Sequence, residues 1–114
     1  MPELEPIAED WQRALAVVAH PDDMEYGAAS AVARWTRQGK HVACVLVTAG
    51  EAGISSMPPE TVAPLRRAEQ QTSGAAVGVD DITFLEHRDG LVVADLELRA
   101  ELAGHIRRKK PEVV

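Results

Sequence analysis

Two runs of six apolar residues constrain this chain more than any other feature. Ala14-Leu-Ala-Val-Val-Ala19 and Val42-Ala-Cys-Val-Leu-Val47 carry no charge and no polar–apolar alternation. A strand with one wet face alternates, so unbroken runs of this length read as strands covered on both faces, as in a parallel sheet. Ile82-Thr-Phe-Leu85 reads as a third strand, and the second extends over His41–Thr48. Between them lie segments of helical spacing. From about Met24, residues Ala28, Ala31, Val32 and Trp35 fall on one face, and Gly39 is a natural stop. Gly27 and the alanines after it predict close helix-to-sheet packing. A second helix is expected from Thr61 or Pro64 to Ala76, with Leu65, Ala68, Thr72, Ala75 and Ala76 inward. Asp95 is placed to cap a third, in which Leu98, Leu102, Ala103 and Ile106 form a face expected to be buried. Glu112-Val113-Val114 reads as the opening of a fourth strand.

Strands alternating with helices predict an α/β fold: a Rossmann-like, three-layer α/β/α arrangement with a mostly parallel sheet, ending just after the fourth strand begins. Residues 1–10 carry four acids and two prolines and are expected to form a solvated arm, with Trp11 pinning its end to the body. Residues 11–114 are then one domain. The net charge of −6 argues against binding to nucleic acid or an anionic membrane. Cys44 is the only cysteine, so no intrachain disulfide forms, and a reducing cytoplasm fits. The acidic N-terminus is unlike a secretory signal, and six apolar residues are too few to span a bilayer.

In open parallel sheets ligands gather at the carboxyl ends of the strands. Three polar turns leave such ends: His20–Asp23, Thr48–Gly53 and Glu86–Gly90. The first holds His20, Asp22, Asp23 and Glu25 beside a core, a concentration of charge that is costly without a cation or a reaction to use it. His20 and Asp23, three residues apart at a tight turn, can converge on one divalent ion; imidazole and carboxylate suit zinc, iron or another first-row metal. A catalytic zinc keeps a position open for water and lowers its pKa to about 7. Asp22, next to this pair, is placed to take a proton from that water. The plainer alternative makes Asp22 and Asp23 helix caps and His20 an exposed turn residue.

Ala19-His-Pro-Asp-Asp-Met-Glu25 resembles the signature of the LmbE-like or PIG-L-like zinc deacetylases, which remove acetyl groups from N-acetylglucosamine-type amines. The similarity extends to Thr48-Ala-Gly-Glu-Ala-Gly53, to Leu65-Arg-Arg-Ala-Glu69, to Val77-Gly-Val79, to Arg88-Asp-Gly90 and to Pro111-Glu-Val-Val114. The resemblance implies zinc or another divalent metal such as Fe2+, held by His20 and Asp23, with Asp22 as general base. It implies Arg66 as an anchor for substrate hydroxyl or phosphate groups, and Glu51 and Asp89 as lining of a sugar pocket. Each has a plain alternative: Arg66 paired with Glu69 across the helix face, Glu51 a solvated loop acid, Asp89 a turn former before Gly90. Glu25 is assigned no chemistry. The family's third metal ligand comes from a histidine motif beyond the fourth strand, and His41, His87 and His105 do not match it.

The expected function is therefore metal-dependent hydrolysis of an N-acetyl group on a small amino-sugar conjugate. The rival reading is a catalytically incomplete domain that acts as a binding module, with an exposed sheet edge favouring self-association into a homo-oligomer. A nucleotide-binding domain of the same architecture is a third reading, and the chain has no Gly-x-Gly-x-x-Gly or lysine-bearing phosphate loop to support it. Arg107–Lys110 reads as a basic helix C-terminus favoured by the dipole, and Cys44 as a buried apolar thiol.

Overall fold

A computed structural model describes all 114 residues. The elements run β1 (Arg13–Val18), α1 (Asp23–Arg37), β2 (His41–Leu46), α2 (Pro59–Ala76), β3 (Asp81–Phe84) and α3 (Leu96–Lys109). The three strands form one parallel sheet in the order β1-β2-β3, in register Ala16↔Cys44↔Ile82 and Val18↔Leu46↔Phe84. Ladder hydrogen bonds continue past the strands, from Thr48 N–H to Ala19 O (3.1 Å) and from Leu85 N–H to Leu46 O (2.8 Å). Val113 bridges Ala14 in parallel on the free edge of β1. The expected fourth strand is thus present as a single bridge. Spatially the order is Val113, β1, β2, β3, the pattern of a doubly wound fold.

The continuous apolar runs are continuous because both faces are covered. One face, with Ala14, Val42, Cys44 and Leu46 at its centre, packs under Met24, Val32, Ala28 and Trp35 of α1. α2 lies on the same side, where a Cβ on Gly74 would stand 2.6 Å from Ile82 Cδ1. The other face, with Leu15, Ala43, Val45, Val47 and Leu85, meets Leu98 and Leu102 of α3. No helix is long and apolar enough to cross a membrane.

Several sequence expectations are corrected. α2 begins at Pro59, earlier than Thr61 or Pro64, because Pro is compatible with a first helical turn. Its inner face is not Leu65, Ala68, Thr72, Ala75 and Ala76, all of which are exposed; the buried residues are Val62, Gln70 and Gly74. The close helix-to-sheet approach falls at Gly74, while Gly27 is exposed with nothing within 4 Å of its Cβ position. On α3 the apolar stripe exists but no residue is fully buried. Ala94, Leu96, Leu98, Leu102, Ala103 and Ile106 line an open groove of about 840 Å³ instead. Asp95 does cap α3, accepting from Leu98 N–H at 2.9 Å.

At the amino ends of the strands, Trp11 is buried and meets Trp35 edge-on, with ring centroids 5.0 Å apart and Lys40 Nζ 5.4 Å from the Trp11 ring. Residues 1–10 contain no helix or strand and are exposed. Glu9 nevertheless accepts from Arg34 Nη2 at 2.8 Å and from Gln38 Nε2 at 3.1 Å.

Candidate active site

The turn after β1 is shaped by its backbone. Asp22 stands in the left-handed region (φ 72°, ψ −10°) and opens α1, accepting from Tyr26 N–H at 2.9 Å. Its side chain makes no capping bond, so the expected cap by Asp22 is absent. Asp23 does not cap either: its Oδ2 accepts the His20 N–H at 2.9 Å, folding the turn back on itself. Freed from capping, the Asp22 carboxylate accepts from Arg66 Nη2 at 3.1 Å. Thr48, buried at the end of β2, donates to Ala19 O (2.9 Å) and accepts from Gly50 N–H (3.1 Å), fixing the second loop against the first. Gly50 has φ +65°, and a Cβ there would meet Pro21 Cδ at 3.1 Å, so a side chain is both strained and crowded.

His20 lies between two carboxylates. Its Nδ1 is 3.3 Å from Asp23 Oδ2, and its Nε2 is 3.0 Å from Asp89 Oδ1. The Asp89 side chain is only 10% exposed, against 49% for His20 and 44% for Asp23, so it is the sheltered one of the two carboxylates. The other oxygen of Asp89 accepts from Ala52 N–H at 3.1 Å, and the Asp89 N–H donates to Glu51 Oε1 at 2.9 Å. Glu51 therefore ties the β2 loop to the β3 loop, and its Oε2 is buried with no protein partner. Glu51 also lines a neighbouring cavity of about 550 Å³ with Pro59, Glu60 and Arg88. The cavity at His20, about 350 Å³, is lined by His20, Gly50, Gly53, Ile54, Arg66 and Asp89.

Arg66 donates to Glu69 (2.8 Å), the partner expected on its own helix face, and also to Asp22, which was not foreseen, and to Pro21 O at 3.4 Å. Burial opposes its charge, but the hydrogen bonds it donates to Glu69 and Asp22 outweigh that and hold it above the ordinary arginine value. The remaining histidines lie apart. His41 pairs with Asp81 at the amino end of β2 (3.2 Å), and His87 pairs with Glu101 of α3 (2.6 Å). Sequence reasoning missed Gln70, whose buried amide meets both Asp22 and Glu25. Its signal was the four-residue spacing of Val62, Arg66, Gln70 and Gly74, a buried face made partly of polar residues.

The donor types at His20 and Asp23 are those a zinc or iron(II) site takes, and their tips lie on one side of the turn. The pair fits such an ion. No group of three or more His, Cys, Asp or Glu side chains is arranged to hold one, so a third ligand is not among these residues.

A family profile described as PIG-L, GlcNAc-PI de-N-acetylase, matches residues 15–114. The chain belongs to the PIG-L family. Among PIG-L relatives, the 1D-myo-inositol 2-acetamido-2-deoxy-alpha-D-glucopyranoside deacetylase of Thermobispora bispora is 34% identical over 90% of this chain and 43% of its own length. Of solved structures, the N,N'-diacetylchitobiose deacetylase of Pyrococcus horikoshii superposes with a TM-score of 0.88 at 29% identity, covering 92% of this chain and 40% of that one. GalB, the 4-carboxy-2-hydroxymuconate hydratase of Pseudomonas putida KT2440, superposes with a TM-score of 0.80 at 30% identity, covering 90% and 45%. The chain thus spans less than half the length of these PIG-L-like relatives.

Proposed function

We propose that this chain serves a metal-dependent deacetylase that hydrolyses the N-acetyl group of an N-acetylglucosamine-type substrate. One observation carries the reading: at the carboxyl edge of the sheet, two adjacent aspartates are committed to different partners, Asp23 to His20 and Asp22 to Arg66. Two carboxylates in one site with separate environments are suited to separate tasks. The names of the relatives, acting on acetylated glucosamine units, supply the substrate class.

In this reading His20 and Asp23 hold the metal. A divalent ion bound there supplies the acidity that lets water attack an unactivated amide near neutral pH. Asp22 Oδ2 is engaged by Arg66, which leaves the other carboxylate oxygen free to accept the proton of the attacking water. Arg66 keeps that carboxylate oriented and offers its remaining guanidinium hydrogens to a sugar hydroxyl or phosphate. Asp89 orients the His20 ring from Nε2, a role the sugar-lining assignment did not foresee. Glu51, through the Asp89 backbone, fixes the loop that carries it.

The test combines metal analysis with acetate release from N-acetylglucosamine conjugates. Asp22→Asn should retain metal while turnover falls by about a hundredfold or more. His20→Ala should lose the metal; equal metal in His20→Ala and wild type would refute the ligand assignment. Metal without acetate release in the wild type would favour the binding-module reading. The likeness to a hydratase supports a second reading, addition of water to an alkene. Loss of ultraviolet absorbance from a hydroxymuconate-type acid, with no acetate formed from amides, would select it.

A further inference from the structure

We infer that Gln70 is a positioning residue that fixes the backbone of Asp22 and so the direction of its carboxylate. The catalytic consequence rests on the reading of Asp22 as proton acceptor given above. Gln70 and Thr48 are the only buried polar side chains in the protein, each 1% exposed. Gln70 Oε1 accepts the Asp22 N–H at 2.8 Å, and its Nε2 donates to Glu25 Oε1 at 2.5 Å. The amide direction is forced by its neighbours. A backbone N–H can only donate, so the oxygen must face Asp22, and the nitrogen is left to face a carboxylate that can accept.

Asp22 is one of two non-glycine residues with positive φ, and it lies between Pro21 and the first turn of α1. Such a conformation is costly and persists only where the surroundings over-determine it. A residue at the start of a helix ordinarily takes an extended backbone and caps with its own side chain. Here the Gln70 amide spans the first turn of α1, gripping the Asp22 N–H at one end and the Glu25 carboxylate at the other. The Asp22 side chain is then turned away from the helix axis and toward Arg66, on the same α2 face one turn before Gln70. Arg66 and Gln70 together hold side chain and backbone of one residue from a single helix. Glu25, whose second oxygen is buried with no protein partner, sets the polarity of the clamp.

Three variants of the full chain test this. Gln70→Met keeps length and removes both hydrogen bonds. Gln70→Glu keeps an acceptor for Asp22 but sets a second carboxylate against Glu25. The double variant Gln70→Glu with Glu25→Gln restores donor and acceptor with the polarity reversed. The readouts are hydrogen exchange at the Asp22 amide and the separate values of kcat and KM for acetate release. Gln70→Met should speed Asp22 exchange by about tenfold or more and lower kcat by about ten- to a hundredfold, with KM within about twofold. Gln70→Glu should lower kcat likewise, and the double variant should recover most of it. Gln71→Met, on the exposed side of α2, should change neither. Unchanged Asp22 exchange in Gln70→Met overturns the inference, as does a kcat loss that the polarity swap leaves unrescued. Should Gln70→Met not fold, the contrast between Gln70→Glu and the double variant decides. A wild-type chain that releases no acetate sinks the deacetylase reading alone, and Asp22 exchange still judges the clamp.

Discussion

Asp22 and Asp23 are neighbours in sequence and face different partners, and the cause is a single left-handed residue. The pairing of His20 with Asp23 was legible in the sequence because three residues around a tight turn bring two tips together. The contact of His20 with Asp89 was not, because Asp89 arrives on the loop after β3 and only the folded sheet brings that loop across. Gln70 was hidden for a related reason: a polar residue on a helix reads as solvent-facing until the turn it serves is in place. Cys44 is simpler. It lies in mid-strand with no exposed surface, and burial, helped by the charge of Glu25, pushes its thiol up to about 12. Without a thiolate or access, it should be inert. Iodoacetamide at pH 8 should leave the folded protein unlabelled and modify Cys44 rapidly once guanidinium chloride unfolds it; rapid labelling of the native chain would contradict the burial.

Among the elements, the strands were the easiest to read, because two-sided burial leaves an unbroken apolar run. The α2 helix was misread because its inward face is spent on Arg66 and Gln70, so apolar periodicity pointed to the wrong side. On α3 the periodicity was right and the burial was not: a stripe of leucines states what a helix can cover, whereas burial also needs something to cover it. The junction of α1 with the α2–β3 turn rests on contact rather than periodicity. Thr36 Oγ1 donates to Val77 O at 2.7 Å, and a Cβ on Gly78, at φ +81°, would stand 2.8 Å from Thr36 Cβ. Gly78→Ala combines backbone strain with overpacking, and should cost about 3 kcal/mol in urea unfolding. A loss below about 0.5 kcal/mol would mean that this junction tolerates a methyl group by shifting.

Across the whole molecule, polar chemistry collects at the carboxyl edge of the sheet and structural ion pairs at the amino edge. Asp81 is central to the latter, accepting from Lys109 Nζ of α3 at 2.7 Å and meeting His41 Nε2 of β2 at 3.2 Å. The Lys109 hydrogen bond, against the opposing effect of burial and with help from His41, holds the Asp81 carboxyl below its ordinary value. The unfolded chain, with an aspartate near pH 3.9, therefore binds more protons than the native one just below that pH. The stability contributed by Asp81 is complete above about pH 5 and is lost as pH falls through the folded value. Urea midpoints measured from pH 6 downward should fall more steeply in wild type than in Asp81→Asn. Parallel slopes would show that the contact adds nothing.

The same division of the molecule governs how it will look to a spectrometer. Both tryptophans, Trp11 and Trp35, meet edge-to-face at the amino edge of the sheet, whereas His20 follows the carboxyl end of β1. Ultraviolet-excited emission therefore reports the seam between the N-terminal arm and α1, and its intensity will follow denaturation while staying nearly mute to events among the aspartates. A fluorophore at the catalytic rim would have to be introduced, and the native background leaves that channel clear.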